Sequence, residues 1–304
     1  SIIDLDSRSN QPLLINNLVL TFNGEIYNFK ELRENIEDWD FHTSSDSEII
    51  LAYYNKYGEE CLKYFNGMFS FAIWDLNTDT LFCARDRIGI KPFYYLIQED
   101  IFYFASETKT LIPFLNKIEE DYKGLSEYLT FQYYISDHTL IKGIKELKPG
   151  HSITIKNNEI KINKYWNLSY INKLNISEQE HIQNLDKLID ESIKIHLESD
   201  VPISSYVSGG IDSSIISCLG SDKIKDLYHG RFKEYAGFDE SIYAKSISDH
   251  INIDLNISEM NYNDFEKYIK KIVYHLDLPI AGPGSFPQYM VSKLVSEKYK
   301  VVLG

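Results

Sequence analysis

The sequence lacks several features that would place it in particular classes of protein. Its three cysteines are too few and too scattered for a disulfide framework, and neither they nor the eight histidines have metal-ligand spacing. No apolar run approaches the roughly 20 residues of a membrane span, and no basic-then-apolar signal peptide opens the chain. Basic residues are scarce as well: 31 Lys and Arg stand against 45 Asp and Glu, a formal net charge of −14. These absences favour a cytoplasmic protein without a nucleic-acid or membrane surface, which must meet anionic substrates in local pockets.

What is present is typical of a globular protein with two domains. A hydrophobic share of 43% and a charged share of 25% are ordinary values, and 304 residues are enough for two domains. Residues 167–177 are polar and have no periodicity, which predicts a linker. We therefore expect a first domain over residues 1–166 and a second over 178–304.

The first domain combines short strands with flanking helices. Asn23-Gly24 after an apolar run predicts a turn, and Ser45 with Glu48 three residues later predicts a helix that begins with a capping box. Ser106-Glu107 predicts the start of another helix, which reaches Leu115. The predicted strands are 18–22, 68–74, 80–84, 93–96, 101–105, 152–155 and 161–165, and the remaining predicted helices are 27–36, 45–54 and 124–133.

In the second domain, strands and helices alternate after a long amphipathic helix over 178–198. The predicted strands are 203–207, 227–232, 254–257 and 300–303, and the predicted helices are 212–219, 241–251, 264–275 and 285–298. Alternation of this kind predicts a doubly wound parallel sheet that binds ligands at the carboxyl ends of its strands.

One loop of the second domain has the composition of an anion site. Residues 208–214 read Ser-Gly-Gly-Ile-Asp-Ser-Ser between a strand and a helix. Adjacent glycines let the backbone approach a phosphate, and the first amides of the helix point at it. Asp212, in the first helical turn, is placed to hold a Mg²⁺ that bridges phosphate oxygens. The loop is not a Walker A motif, since the lysine is missing. The alternative is a glycine turn with a Ser/Asp helix cap.

This loop resembles the pyrophosphate loop of N-type ATP pyrophosphatases. Together with Ser-Asp-Val-Pro at 199–202 and Phe-Asp-Glu-Ser at 238–241, it is similar to that of the asparagine synthetase (glutamine-hydrolysing) family. The resemblance implies ATP and Mg²⁺ as cofactors, with Asp212 as metal ligand. It implies an ATP site made of Val207, Ser208, Gly209, Gly210, Asp212, Ser213, Phe232 and Gly304.

Four motifs in the first half resemble class II glutamine amidotransferase domains. They are Phe-Asn-Gly-Glu-Ile-Tyr-Asn at 22–28, Ser-Asp at 45–46, Phe-Asn-Gly-Met-Phe at 65–69 and Arg-Asp-Arg-Ile-Gly-Ile-Lys-Pro at 85–92. The resemblance implies an Ntn-hydrolase-like αββα sandwich, of mixed α+β class, ahead of the α/β ATP-pyrophosphatase domain. The family's N-terminal cysteine nucleophile is absent from the chain. The implied glutamine-binding residues are Ile2, Ile3, Asn23, Gly24, Glu25 and Asp46, with Asn23 and Gly24 also stabilising an oxyanion.

These two resemblances imply a glutamine-dependent amidotransferase with the following reaction. ATP adenylates a carboxylate of aspartate or a related acid, and ammonia from glutamine forms the amide, with release of AMP and pyrophosphate. One alternative is an ATP-dependent amide ligase with a silent first domain, similar to β-lactam synthetases; another is a nucleotide-binding protein without turnover. Residues 279–287 depart from the Thr/Arg-rich aspartate segment of the family and offer only Ser285 as a polar side chain. We further expect a fragment truncated at both ends, and a possible homodimer.

Overall fold

The computed structural model describes residues 3–171, 173–232, 234, 239–279 and 282–304. The chain divides into two compact units, one of them Asp4–Lys173 and the other Leu174–Gly304, to which Ile3 is also assigned. None of the helices in the described part of the chain combines the length and the hydropathy of a membrane span.

The first unit contains nine strands and three helices within its described residues. Short 3₁₀ turns lie at Ser7–Ser9, Gly58–Lys63, Thr108–Thr110 and Ile112–Phe114. The other elements, in chain order, are β1 (Leu13–Ile15), β2 (Leu18–Ile26), α1 (Phe29–Glu34), α2 (Asp46–Tyr57), β3 (Gly67–Asp75), β4 (Thr80–Arg85), β5 (Tyr94–Gln98), β6 (Ile101–Ala105), α3 (Tyr122–Phe131), β7 (Ile144–Glu146), β8 (His151–Lys156) and β9 (Glu159–Lys164).

These strands form two antiparallel sheets that pack face to face. The larger sheet has the order β1-β2-β3-β4-β8-β9, and the smaller has the order β6-β5-β7. Ala72 and Cys83 of the larger sheet pack against Tyr95 of the smaller one in a buried cluster. On the opposite face of the larger sheet, Tyr54 of α2 stacks on Phe82, with ring centroids 5.3 Å apart. The antiparallel sheets with an outer helix layer confirm the predicted sandwich.

Three local predictions for this unit were wrong. Asn23-Gly24 is not a turn, because β2 continues through both residues and pairs with β3 as far as Ile26. Ser45 does cap α2, but Glu48 does not complete a capping box; its carboxylate instead accepts hydrogen bonds from the loop before the helix, including the Thr43 N–H at 2.7 Å. The helix predicted from Ser106 is two separate 3₁₀ turns.

The second unit alternates strands and helices, as the sequence predicts. Its elements are α4 (Glu178–His196), β10 (Ile203–Tyr206), α5 (Ile211–Leu219), β11 (Ile224–Phe232), α6 (Ser241–Ile251), β12 (Leu255–Met260), α7 (Tyr262–Leu276), α8 (Ser285–Val295) and β13 (Val301–Leu303). All pairings between these strands are parallel, in the order β12-β11-β10-β13.

Helices cover both faces of this parallel sheet. On one face, Ile193 of α4 and Ala244 of α6 pack against Leu227 of β11. On the other, α8 packs against β11 through Val291 and Tyr228, and α7 packs beside α8. This arrangement confirms the predicted doubly wound sheet and directs attention to the carboxyl ends of its strands.

Candidate functional site

In the first unit, the candidate site lies along the free edge of β2. β1 pairs only with residues 18–20 of β2, so the rest of this edge has no neighbouring strand. Along it, the N–H groups of Phe22, Gly24 and Ile26 point away from β3. The Phe22 N–H donates to the side-chain oxygen of Gln11 at 2.5 Å, and the Ile26 N–H donates to Asp46 Oδ2 at 2.9 Å. The Gly24 N–H finds no acceptor among the described residues. It is therefore a backbone donor that is available to a ligand.

The backbone at Gly24 explains why glycine stands there. Its φ is +152°, and a Cβ at this position would lie 2.1 Å from the Met68 carbonyl oxygen. The sequence therefore places glycine here for a close approach between β2 and β3 rather than for a turn. The neighbouring Asn23 exposes its side chain, and its Nδ2 donates to Ser106 Oγ at 3.2 Å. Two hydrogen-bond donors, one backbone and one side chain, thus come from adjacent residues.

Asp46 joins the start of α2 to the edge of β2. Its side chain is buried, with 6% of the residue exposed, and besides the Ile26 N–H it accepts the Ser45 hydroxyl at 3.3 Å. Burial raises the pKa of Asp46 to about 6, although hydrogen bonds from Ile26, Ser45 and Ser47 partly oppose that rise. A buried carboxylate of this kind favours a cationic partner.

For the other predicted glutamine-binding residues, the structure shows fewer contacts. Glu25 is buried in β2, one residue from Ile26. Burial, the Glu25 charge and the Asp86 charge all raise the pKa of Tyr27, so this neighbouring hydroxyl stays protonated. Ile3 is buried at the start of the described chain, and Ile2 lies outside the described residues.

Neither cysteine of the first unit has the features of a nucleophile. Cys61 and Cys83 are both fully buried, and burial raises the pKa of each thiol. Reactive cysteines are partly exposed and have a lowered pKa, which keeps the thiolate available. Cys61 and Cys83 therefore belong to the core.

In the second unit, the loop between β10 and α5 is held by its own serines. The Ser208 N–H donates to Ser213 Oγ at 3.1 Å, and the Gly210 N–H donates to Ser208 Oγ at 3.2 Å. Gly209 has a φ of +86°, and a Cβ there would lie 2.4 Å from the Cβ of Tyr243 in the first turn of α6. Glycine is thus required both for the backbone conformation and for the close contact with α6.

Asp212 is not a helix cap. The residue at the N-cap of α5 is Gly210, and no side chain caps this helix start. Asp212 is exposed and makes no side-chain hydrogen bond or ion pair with any described residue. The first-turn amides of α5 have no intrahelical acceptors, as at every helix start. Backbone donors and a carboxylate therefore share one exposed helix end, as a metal-bound phosphate requires.

The donor set around Asp212 fits Mg²⁺ only together with a phosphate. Within the part of the chain that the structure describes, no group of three His, Cys, Asp or Glu side chains could hold a metal ion. Mg²⁺ usually binds one or two carboxylates and takes its remaining ligands from water and substrate phosphates. Asp212 can supply the one carboxylate that such a site needs.

Other predicted nucleotide contacts lie at neighbouring strand ends. Val207 follows β10 and its N–H donates to the Tyr228 carbonyl at 2.9 Å, and Gly304 follows β13, which pairs with β10. A cavity of about 440 Å³ is lined by Asp212 and Gly304 together with mainly apolar residues of α4 and α5. Phe232 ends β11, but its ring packs on Phe286 at 6.1 Å. One side of the ring is therefore in contact with α8.

The sequence did not point to His229, which lies beside the loop. Its Nδ1 hydrogen-bonds to the Val207 carbonyl at 2.8 Å, so this nitrogen carries the proton. Its Nε2 is buried and has no partner among the described residues. Nothing in the sequence places residue 229 next to residue 207, because that contact depends on the register of β10 and β11.

The segment at 279–287 includes Ile280 and Ala281, which lie outside the described residues. Of its remaining members, Phe286 is buried in α8 and contacts the rings of Phe232 and Phe265. Arg231 of β11 forms an ion pair with Glu259.

Comparison with known families assigns a domain to each part of the chain. Residues 1–166 match the model of a glutamine amidotransferase domain. Residues 184–304 match the model described as asparagine synthase, which implies the use of ATP.

Individual relatives align with the whole chain. It is 36% identical to asparagine synthetase [glutamine-hydrolyzing] 1 of Bacillus subtilis and 30% identical to a putative asparagine synthetase [glutamine-hydrolyzing] 2 of Methanocaldococcus jannaschii. It is also 30% identical to the amidase chyE of Penicillium rubens. All of this chain is covered in each case, but only 49%, 63% and 48% of the respective relatives. The chain thus spans roughly half to two thirds of their length.

Proposed function

We propose a function from the premise that this chain belongs to the glutamine-hydrolysing asparagine synthetase family. In this proposal, the full-length protein transfers the amide nitrogen of glutamine to a carboxylate and uses ATP to do so. We assign glutamine hydrolysis to residues 1–166 and carboxylate activation to residues 178–304, with 167–177 as the linker. The free cysteines, two of them buried, support a cytoplasmic setting.

At the first site, water hydrolyses glutamine to glutamate and ammonia. Asp46 binds the ammonium group of glutamine, and the burial of its carboxylate supports this role. When a nucleophile adds to the side-chain carbonyl, negative charge develops on its oxygen. The Gly24 N–H and the Asn23 Nδ2–H are the two donors that this chain offers to that oxygen.

At the second site, a carboxylate oxygen attacks the α-phosphorus of ATP, and pyrophosphate leaves. Ammonia then adds to the acyl carbon, loses a proton and displaces AMP, which leaves the amide. The amides at the start of α5 and the backbone of Gly209 receive phosphate oxygens. Asp212 would hold Mg²⁺, which neutralises charge on the departing pyrophosphate. Glutamine, ATP and a small carboxylate are the proposed partners.

The observation that carries this proposal is the pairing of the left-handed Gly209 with the uncommitted carboxylate of Asp212. The test is pyrophosphate release by the full-length protein at saturating ATP and Mg²⁺. Asp212→Asn keeps the side-chain size but removes the charge. We expect a fall of about a hundredfold or more, the scale of one lost electrostatic contact in a transition state. Asp222→Asn, an exposed carboxylate just after α5, is the matched control and should leave the rate unchanged. Equal rates for the two variants would contradict the proposal.

The geometry of the first unit favours an active glutaminase over a silent domain. A domain without hydrolysis has no need of an uncommitted edge N–H and a buried carboxylate along one strand edge. Asn23→Ala should therefore lower glutamine-dependent amide formation by about 10²–10³-fold and spare the ammonia-dependent reaction. Equal losses with both nitrogen donors would favour the silent domain.

A further inference from the structure

The side chain of Asn23 needs an external restraint to act as an oxyanion donor. Its carboxamide is exposed, so it turns freely about χ2 unless another group holds it. A turn of 180° exchanges the NH₂ group for the carbonyl oxygen, which repels a developing oxyanion. An oxyanion hole works only when its donors are fixed before the charge appears. The residue that holds this amide therefore affects the rate without touching glutamine.

Ser106 supplies such a contact. Its hydroxyl oxygen lies 3.2 Å from Asn23 Nδ2, although the two residues are 83 positions apart. Asn23 belongs to β2 of the larger sheet, and Ser106 directly follows β6, the edge strand of the smaller sheet. Both side chains line one cavity of about 250 Å³, to which Ser70 and Phe104 also contribute. The contact thus joins the two sheets at a cavity that holds the amide.

The hydrogen-bonding capacity of Asn23 allows both contacts together. An NH₂ group has two hydrogens, and one of them is used by Ser106. The second remains free, next to the Gly24 N–H of the same strand. We propose that Ser106 is a positioning residue: it fixes the Asn23 carboxamide with its NH₂ group toward the reacting carbonyl. This inference rests on the proposed glutaminase function.

The proposal is tested with the full-length protein by steady-state glutamine hydrolysis. Ser106→Ala removes the hydroxyl and should lower kcat about tenfold, less than the 10²–10³-fold that follows the loss of an oxyanion donor itself. KM for glutamine should change less than twofold, because Ser106 does not bind the substrate. Ser106→Thr keeps the hydroxyl and should restore most of the rate. Ser126→Ala, an exposed serine in α3, is the matched control. Ammonia-dependent pyrophosphate release should be unchanged in every variant, because it uses only the second site.

A double-mutant cycle separates positioning from any independent role. In the Asn23→Ala background, Ser106→Ala should have no further effect, because there is no amide left to position. An equal tenfold loss in that background would overturn the proposal, as would a raised KM with an unchanged kcat. Asn23→Ala alone tests the premise: normal hydrolysis by that variant would refute the oxyanion role of Asn23, whatever Ser106 does.

Discussion

Replacing Asp46 with Asn should change how the stability of the first unit depends on pH. Burial raises the pKa of this carboxyl from its ordinary 3.8 to about 6. A raised folded pKa means that the native state disfavours the ionised form. The stabilising contribution is fully present below about pH 4 and is lost as the pH rises through about 6. Two pH units at 1.36 kcal/mol each give a loss of about 3 kcal/mol.

Asparagine is neutral throughout this range and has no such loss. The difference in unfolding free energy between the Asp46→Asn variant and the parent protein should therefore shift by about 3 kcal/mol in favour of the variant between pH 4 and pH 8. Other titrating groups are common to both proteins, so they cancel in this comparison. Any constant change in packing cancels as well.

The tryptophans make the assay specific for this unit. All three, Trp39, Trp74 and Trp166, belong to Asp4–Lys173. Urea unfolding followed by tryptophan fluorescence thus reports on the unit that contains Asp46. Parallel stability profiles of parent and variant from pH 4 to pH 8 would refute the reasoning. The same titration predicts that KM for glutamine in the full-length protein falls as the pH rises through about 6, because ionised Asp46 attracts the substrate ammonium, and that the variant lacks this dependence.

Three further predictions follow from contacts described above. Gly24→Ala places a Cβ 2.1 Å from the Met68 carbonyl and should lower the unfolding free energy of the first unit by about 3–5 kcal/mol in the same fluorescence assay; a loss under 1 kcal/mol would show that the strands part easily. Gly209→Ala meets the Tyr243 Cβ at 2.4 Å and should weaken ATP binding at least about tenfold by calorimetry; unchanged affinity would place the phosphates elsewhere. Aspartate should be a poor acceptor in a pyrophosphate-release screen of carboxylates, because residues 279–287 contain no Lys or Arg to bind its second carboxylate; aspartate as the best substrate would contradict this.

The sequence predicted the second unit well because strands and helices alternate regularly along it. Helix α6 was predicted at its observed bounds, 241–251, since apolar periodicity and a polar start agree there. In the first unit, local signals failed where distant partners decide the structure. Asn23-Gly24 has turn chemistry, but nine consecutive pairs with β3 hold it in a strand. Glu48 has capping-box spacing, but loop amides and the indole of Trp39 bind its carboxylate instead.

In the candidate sites too, local features could be predicted from the sequence and contacts between distant residues could not. The loop at 208–214 could be predicted because all its parts are consecutive in sequence. Ser106 and His229 could not, because each contacts its partner through strand packing, across 83 residues in one case and 22 in the other. A sequence pattern identifies side chains that act within one segment, but it does not show which distant residue will orient them.

The free edge of β2 has a consequence for solubility. An open strand edge presents backbone donors in register and is a template for pairing with strands of other molecules, which leads to aggregation. Here the donors on both sides of Gly24 are already occupied, by the side-chain oxygen of Gln11 and by the carboxylate of Asp46. Of these three outward-facing N–H groups, only that of Gly24 is left for an incoming strand. The protein therefore exposes the one backbone donor that the proposed glutaminase chemistry uses, while the occupied donors on either side limit pairing with a strand of another molecule.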